Sequence, residues 1–194
     1  MPFELPEGQE APKHVYTVEV ARAMFSQESF ELYQKYQNSV HGKDESDDKT
    51  GYERFLCQVP LFDPKDKDDS EESKSGSNRR ITSKNDSKAD EFRTLKDEGV
   101  WPKYRGGYHM LHRIDGKLFA VGVNDYTTTA FSSVYLFYDP EYDFLSPGNF
   151  CALREIEYMR KVRKEFDETF KYYYMGLYFQ DCVKSVYKAN FKPS

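Results

Sequence analysis

A short turn in the second half of the chain has the residue types that bind anions. Ser146, Pro147, Gly148 and Asn149 stand between a strand-like run and a long amphipathic pattern. The first turn of a helix has backbone N–H groups without intrahelical partners, and the helix dipole adds positive charge there. A coenzyme A pyrophosphate or an RNA backbone would fit this turn equally well. An ordinary helix start is the simpler interpretation, because most helices begin with a capped turn.

The three cysteines form no recognisable metal or disulfide motif. Cys57, Cys151 and Cys182 are far apart in sequence, and none belongs to a CxxC pair. Neither a zinc cage nor a disulfide framework is therefore indicated. We expect the thiols to be reduced and mostly buried.

The composition excludes several classes of protein. The chain has 194 residues, of which 38% are hydrophobic and 16% aromatic, and its formal net charge is -5. This is room for one domain with a sizeable core, and it is too aromatic for a disordered chain. No apolar run approaches the roughly 20 residues of a membrane span, and the first residues lack the pattern of a secretion signal. We therefore expect a cytoplasmic or nuclear protein.

The polar residues are concentrated in one segment. From Lys65 to about Lys88 the chain has no aromatic residue and a single β-branched aliphatic one, Ile81. Such a segment buries too little apolar surface to offset the entropy of ordering it. We predict one domain over residues 14–194, interrupted by a flexible polar insertion at about 65–100, with a disordered amino terminus at 1–13.

The first element predicted by hydrophobic spacing is an amphipathic helix over about 26–40. Ser26 fits the N-cap position, and Phe25 and Phe30 have the spacing of a hydrophobic staple. The tyrosines of this helix fall on its apolar side, so we expect them in the core. Gly42 is a plausible helix end.

After the insertion, the hydrophobic period changes from about 3.6 to 2. Asp115-Gly116 between two alternating runs is typical of a tight hairpin turn. The predicted elements are strands at 108–114, 117–123 and 131–138, a helix at 146–166 and a strand at 172–179. This order predicts an α/β sandwich in which an antiparallel meander meets one βαβ crossover.

Four ordered motifs accompany these elements. They are DGKLFAVGVND at 115–125, SSVYLFYDP at 132–140, ALREI at 152–156 and YYYMG at 172–176, preceded by FELYQKYQ at 30–37 and FLC at 55–57. Together they resemble the carboxyl-terminal catalytic domain of the eukaryotic arginyl-tRNA:protein transferases. The resemblance covers roughly residues 14–62 and 104–194.

The resemblance implies an α+β GNAT-like fold with a mostly antiparallel central sheet, in agreement with the predicted element order. It also implies transfer of arginine from arginyl-tRNA to an N-terminal Asp, Glu or oxidised Cys of a protein, which marks that protein for degradation through the N-degron pathway. Chemically this is aminolysis of an ester. A neutral α-amine must attack the ester carbonyl, and the resulting oxyanion needs positioned donors.

The candidate catalytic residues lie on the two matched central strands. Asp125, at a strand end, is our preferred group for orienting the amine or accepting its proton, and a turn-capping role is equally open. Strand alternation places Ser133 and Tyr135 on one face, opposite Ser132 and Val134. We therefore predict that Ser133 and Tyr135 line the site, with sheet packing as the alternative for Tyr135.

Binding of tRNA needs contacts to phosphates. The residues assigned to substrate binding are Tyr138, Ser146, Gly148, Arg154, Lys184 and Lys188. For each lysine a solvated surface role is the alternative. The implied partners are arginyl-tRNA and the acceptor proteins, with no membrane. The family's iron-sulfur or metal site lies in an amino-terminal region outside this sequence, so we expect this chain to bind no cofactor.

The segment 178–194 departs from the family's pattern. Gln180 stands where the family has His, and Val186 stands where it has Arg. The loss of an imidazole and a guanidinium leaves open a catalytically inactive relative that binds tRNA or N-degron peptides. A coenzyme A-dependent N-acyltransferase is a weaker alternative, because residues 145–149 lack the basic, glycine-spaced turn usual in users of acetyl-coenzyme A.

Overall fold

The computed structural model describes residues 13–42, 48–58, 106–165 and 167–191, apart from the side chains of residues 41, 183 and 184. The predicted polar insertion and nearly all of the predicted disordered amino terminus lie outside these ranges. Among the described residues, five strands form one sheet in the order β1-β2-β3-β4-β5. No helix in the described ranges is long and apolar enough to cross a membrane.

The sheet is mostly antiparallel. Its strands are β1 (Tyr16–Arg22), β2 (Gly106–Ile114), β3 (Lys117–Tyr126), β4 (Ala130–Tyr138) and β5 (Tyr172–Tyr174). Strands β1 to β4 are antiparallel neighbours, and β5 pairs with β4 in parallel. The meander with one crossover is therefore confirmed. Strand β1, which the sequence analysis did not predict, adds an edge to the meander.

Helices lie on both faces of the sheet. They are α1 (Gln27–Tyr36), α2 (Lys49–Tyr52), α3 (Pro147–Glu165) and α4 (Val183–Val186). Helices α1 and α2 continue as π-helical turns, and α4 continues as a 3₁₀ turn at Tyr187–Asn190. Helix α3 begins with proline at its first position, where the missing N–H costs no hydrogen bond. The arrangement is a mixed α/β fold.

Local sequence signals explain where α1 begins and ends. The Ser26 hydroxyl accepts a hydrogen bond from the backbone N–H three residues later, at 3.1 Å. The rings of Phe25 and Phe30 lie 5.9 Å apart, which confirms the hydrophobic staple. Gly42 ends the π-helical turns in the left-handed region at φ 60°. The tyrosines Tyr33 and Tyr36 pack into the core as predicted.

The core has one part on each face of the sheet. The part between the sheet and the helices α1 and α2 consists of Phe30, Leu32, Tyr52, Leu56, Val121, Val123 and Phe137. The part between the sheet and α3 consists of Tyr108, Met110, Tyr126, Phe131, Met159, Val162 and Phe170. Burial of each such large side chain contributes roughly 1.5–3 kcal/mol. The two helical layers are therefore held to the sheet by apolar packing on both sides.

A bulge in β4 changes which residues share a face. Val123 pairs with Tyr135 whereas Asn124 pairs with Ser133, so Val134 is an extra residue in β4. Ser133 consequently faces α3, and Tyr135 packs on the face of α1 and α2. The prediction that both residues lie on one face is wrong, because simple alternation does not hold across a bulge.

Two other predictions need correction. The apolar spacing of the helix predicted at 146–166 places Leu153 on its buried side, but in α3 Leu153 is 57% exposed. The strand predicted over 172–179 ends at Tyr174. Gly176 adopts a left-handed conformation at φ 77°, which a strand does not continue through.

The end of β4 is fastened to α1 and β3 by charge. The buried Asp139 carboxylate lies 2.7 Å from Lys35 Nζ and 3.3 Å from Lys117 Nζ. It also accepts a hydrogen bond from the Glu141 backbone N–H at 3.0 Å. Burial raises the pKa of Asp139, but the hydrogen bonds from Lys35, Glu141 and Lys117 outweigh it, so the pKa lies below its ordinary value.

We expect Asp139→Asn to destabilise the fold by about 1–3 kcal/mol near neutral pH, because the charge-assisted bonds are lost. A depressed pKa stabilises the fold above the unfolded-state value and loses this effect as pH falls through the folded-state value. The difference between the two proteins should therefore shrink below about pH 4. Urea unfolding at several pH values measures it. Glu141→Gln is the control, because Glu141 is the exposed partner of the same two lysines, and it should destabilise the fold less. A pH-independent difference in stability between Asp139→Asn and the wild type would contradict the role of the Asp139 charge.

Candidate functional site

A small cleft opens beside β4 and β5, where their pairing stops. The two strands pair only over Ala130–Ser132 and Tyr172–Tyr174, and the bulge follows directly in β4. The first turns of α3 and the turn after α4 close the other sides. The cleft is lined by Ser133, Leu136, Gly148, Cys151, Ala152, Glu155, Tyr173, Met175 and Tyr187.

Glu155 is the acidic side chain that lines this cleft. The residue is 1% exposed. Its Oε2 atom accepts a hydrogen bond from Tyr173 Oη at 2.5 Å, and its Oε1 atom accepts one from Asn124 Nδ2 at 2.8 Å. The Ser133 hydroxyl interacts with the Glu155 carboxyl group and with the Tyr173 hydroxyl. Strands β3, β4 and β5 thus each contribute one polar side chain to a single carboxyl group on α3.

The absence of a side chain at Gly122 on β3 makes this arrangement possible. A Cβ atom at Gly122 would lie 2.6 Å from Glu155 Oε1, closer than such atoms approach one another. Asn124 and Tyr173 hold the carboxyl group on its other sides. Glycine at position 122 is therefore required so that the carboxyl group can lie against the sheet.

The electrostatics of the cleft favour proton transfer. Burial raises the pKa of Glu155, and the bonds from Tyr173, Asn124 and Ser133 oppose this shift without cancelling it. A carboxyl group whose pKa moves towards neutrality is suited to accept a proton. Burial also raises the pKa of Tyr173, so its hydroxyl remains a neutral donor.

The cysteine in the cleft has a different character. All three cysteines are free, and Cys151 is buried while Cys57 and Cys182 are partly exposed. Burial raises the pKa of the Cys151 thiol. Because the thiolate is the nucleophilic form, this thiol is suited to packing rather than to attack.

Of the three predicted catalytic residues, only Ser133 lines the cleft. Asp125 is half-buried and follows Asn124 on β3, so strand alternation places it on the face opposite α3. Burial raises the pKa of Asp125. Tyr135 accepts a hydrogen bond from Gln37 Nε2 at 3.0 Å, and its ring lies 5.2 Å from that of Phe55. Asp125 and Tyr135 therefore stand on the side of α1 and α2.

The predicted anion-binding turn is only partly free to bind. The Ser146 carbonyl accepts from the N–H groups of Asn149 and Phe150, each at 3.0 Å. The Ser146 N–H is bonded to the Asp143 carbonyl at 2.9 Å, and Pro147 has no N–H. Ser146 itself is exposed and left-handed, at φ 50°. The turn offers fewer donors than its sequence suggests, although Gly148 does line the cleft.

The other predicted binding residues whose side chains are described, Tyr138, Arg154 and Lys188, do not line the cleft. Tyr138 donates a hydrogen bond to Asp143 at 3.1 Å. Arg154 forms an ion pair with Glu157 at 2.6 Å and lies over the ring of Tyr16. Lys188 Nζ donates to the Leu177 carbonyl at 2.9 Å, and burial lowers its pKa. The side chain of Lys184 lies outside the described part of the structure.

The sequence analysis missed Glu155, Tyr173, Asn124 and Tyr187 as site residues. A signal for Glu155 was present, because it lies four residues from both Cys151 and Met159 and so belongs to the buried stripe of α3. A carboxyl group on such a stripe is rare unless it is paired. No comparable signal marked the other three residues.

Within the described ranges, no group of three or more His, Cys, Asp and Glu side chains is arranged to hold a metal ion. The Glu155 carboxyl, the Asn124 amide bonded to it, and the hydroxyls of Ser133, Tyr173 and Tyr187 form a set suited to hydrogen bonding and proton transfer.

The sequence is similar to known aminoacyl-tRNA-dependent transferases. A family model described as "Arginine-tRNA-protein transferase, C terminus" matches residues 28–194. Arginyl-tRNA--protein transferase 1 of Dictyostelium discoideum is 35% identical over 94% of this chain and 37% of its own length. The Arabidopsis thaliana protein of the same name is 34% identical over 97% of this chain and 25% of its own length. The chain thus spans between a quarter and two fifths of these two relatives.

A bacterial protein shares a shorter match. An aspartate/glutamate leucyltransferase of Campylobacter jejuni is 33% identical over 45% of this chain and 34% of its own length.

We expect Gly122→Ala to destabilise the protein by about 1–3 kcal/mol, because the added methyl group would overlap the held carboxyl group of Glu155. Denaturant unfolding followed by circular dichroism measures the change. Gly148→Ala is the matched control, since a Cβ there would meet its nearest neighbour outside the helix backbone, Tyr187, at an ordinary contact distance of 3.8 Å. Equal stability of both variants would contradict the close approach of β3 and Glu155.

Proposed function

The chain belongs to the arginine-tRNA-protein transferase family, and we propose that it carries the catalytic centre for transferring arginine from arginyl-tRNA to the α-amine of acceptor proteins. The family match extends over β2 to β5 and α3, which together form the cleft. Relatives from a slime mould, a plant and a fly bear the corresponding name.

One observation carries the proposal at the level of chemistry. Glu155 is a buried carboxyl group with a raised pKa, and it is bonded to the hydroxyls of Tyr173 and Ser133, which line the cleft. An amine that attacks an ester must lose a proton during the reaction. The network provides a proton acceptor and a short path of hydroxyls from the cleft to it.

The proposed reaction is a single acyl transfer. The neutral α-amine attacks the carbonyl carbon of the arginyl ester, so a C–N bond forms. The bond between that carbon and the tRNA ribose oxygen then breaks. Glu155 receives the amine proton through Ser133 or Tyr173 and returns it to the departing ribose oxygen, which regenerates the carboxylate. The hydroxyl that is not relaying the proton is placed to donate to the oxyanion.

We further propose that the acceptor begins with Asp, Glu or oxidised Cys. The match to a protein named aspartate/glutamate leucyltransferase supports an acidic acceptor. We also propose that the fold is GNAT-like. Support comes from the parallel β4–β5 pair, which ends at a bulge, and from α3, which connects the two strands.

The alternatives have less support. The inactive-relative hypothesis rests on the altered segment 178–194, but Gln180 lies in an exposed turn and is not among the residues that line the cleft. The coenzyme A hypothesis needs free backbone donors at the start of α3. Those of Ser146, Asn149 and Phe150 are already bonded.

The decisive assay follows radiolabelled arginine from arginyl-tRNA to a peptide that begins with Asp, compared with one that begins with Ala. Two proteins are used: this chain, and a chimera in which it replaces the matching segment of the Dictyostelium relative. We expect transfer selective for the Asp peptide by at least one of them. Absence of transfer by both folded proteins would reject the proposal and favour the inactive relative.

We expect Glu155→Gln to lower kcat by about 10²–10⁴-fold, because the amide keeps the shape of the side chain but cannot accept the proton. Wild-type activity should fall at acidic pH as both Glu155 and the acceptor amine become protonated, and the variant should retain only the dependence that the amine imposes. Glu157→Gln, at an exposed carboxyl group on the same helix, is the control and should retain most of the activity. An unchanged kcat for Glu155→Gln would remove Glu155 from the reaction.

The same assay distinguishes the roles of the predicted residues Ser133 and Asp125. We expect Ser133→Ala to reduce kcat by at least about tenfold, because Ser133 lines the cleft and bonds to the Glu155 network. Asp125→Ala should have the smaller effect, because Asp125 faces away from α3. The reverse order of effects would place the reaction on the other face of the sheet.

A further inference from the structure

The chain segment that begins with β5 exposes an unusual number of aromatic and apolar side chains. We call this surface the aromatic edge: Tyr172, Tyr174, Leu177, Tyr178 and Phe179, which are 49–66% exposed. On β5, the intervening Tyr173 faces the cleft, so Tyr172 and Tyr174 project away from it. Exposed apolar residues that cluster in this way mark binding surfaces.

The far part of the aromatic edge is held in position. Ser185 Oγ accepts a hydrogen bond from the Phe179 N–H at 2.6 Å and donates one to the Phe179 carbonyl at 3.1 Å. Lys188 Nζ donates to the Leu177 carbonyl. Helix α4 and its 3₁₀ extension therefore hold the backbone that carries these side chains. This lowers the entropy cost of ordering the side chains when a ligand binds.

At β5 the aromatic edge lies beside both the cleft and a basic surface. Tyr173 and Met175, which alternate with its residues, line the cleft. The Tyr172 N–H is bonded to the Thr129 carbonyl, beside the loop that follows α3. The last two turns of α3 and this loop expose Arg160, Arg163, Lys164 and Lys171, interspersed with Glu165 and Glu168.

We propose that the aromatic edge binds the unpaired 3′-terminal nucleotides of arginyl-tRNA, an inference that rests on the proposed function. Aromatic side chains bind single-stranded nucleic acid by stacking on the bases. The basic end of α3 provides the attraction for phosphates. With the bases stacked along β5, the terminal nucleotide and its arginyl ester reach the cleft beside Tyr173.

The distance along α3 distinguishes this ligand from an acceptor peptide. Glu155, the proposed proton acceptor in the cleft, precedes Arg163 by eight residues on the same helix, which corresponds to about 12 Å. This exceeds the distance between the α-amine and the side-chain carboxylate of one acidic residue, so such a residue with its amine in the cleft does not extend to Arg163. A polynucleotide bound along β5 reaches both the basic end and the cleft.

The test is a fluorescence anisotropy titration of this chain with a short 5′-fluorescein-labelled single-stranded RNA. The 3′ end of this RNA has the unpaired terminal sequence of tRNA. A blunt duplex RNA of the same length is the comparison. The variants are the double substitutions Tyr172→Ala/Tyr174→Ala and Tyr172→Phe/Tyr174→Phe. Phe55→Ala is the control, because Phe55 is an exposed aromatic residue that contacts Tyr135 and does not belong to the aromatic edge. Thermal unfolding verifies that each variant is folded.

We expect the alanine pair to weaken single-strand binding by about tenfold or more, since stacking on both rings is lost. The phenylalanine pair should bind as the wild type does, because it keeps the ring faces, and Phe55→Ala should have no effect. No binding of single strands by the wild type, or equal binding by the alanine pair, would overturn the proposal. Weakened binding of an Asp-terminated peptide with unchanged RNA binding would assign the edge to the acceptor instead.

This experiment is independent of catalysis. Tyrosine-dependent RNA binding without arginine transfer would contradict the proposed function but not the RNA surface. Asp-selective transfer with RNA binding that does not depend on these tyrosines would overturn the RNA surface alone.

Discussion

The contact between the buried carboxyl group of Glu155 and the sheet is the constraint on which the site depends. A carboxyl group removed from water is costly unless it is hydrogen-bonded. Here Asn124, Ser133 and Tyr173 provide the bonds, one from each of β3, β4 and β5. Gly122 provides the space. Helix α3 is thereby fixed in both position and rotation against three strands.

The bulge at Val134 puts Ser133 and Tyr135 on opposite faces of the sheet. Above the bulge, Ser133 faces α3 and the cleft, and below it Tyr135 and Phe137 pack under α1 and α2. The β4–β5 pairing also ends at this level, so the strands leave an opening that side chains do not fill. A local irregularity in one strand thus accounts for both the opening and the identity of the residues that line it.

The cleft and the aromatic edge are separate surfaces for the two substrates of the proposed transfer. Tyr173 faces Glu155 while its neighbours Tyr172 and Tyr174 face outward, so one three-residue strand contributes to both surfaces. A nucleic acid bound outside β5 and an amine held inside the cleft would approach from different sides. This geometry suits an acyl transfer, because donor and acceptor need not compete for one entrance.

Local sequence signals were enough to predict α1 with its staple, the hairpin at Asp115-Gly116 and the start of α3, because caps, turns and periodicity are local properties. The ordered motifs were enough to indicate the family. It did not reveal β1, the early end of β5 or the bulge, which depend on pairing with distant strands. The site followed the same division. Ser133, which was predicted from sequence, does line the cleft, whereas the group around Glu155 was not predicted, because its members come together only when α3 packs across the sheet.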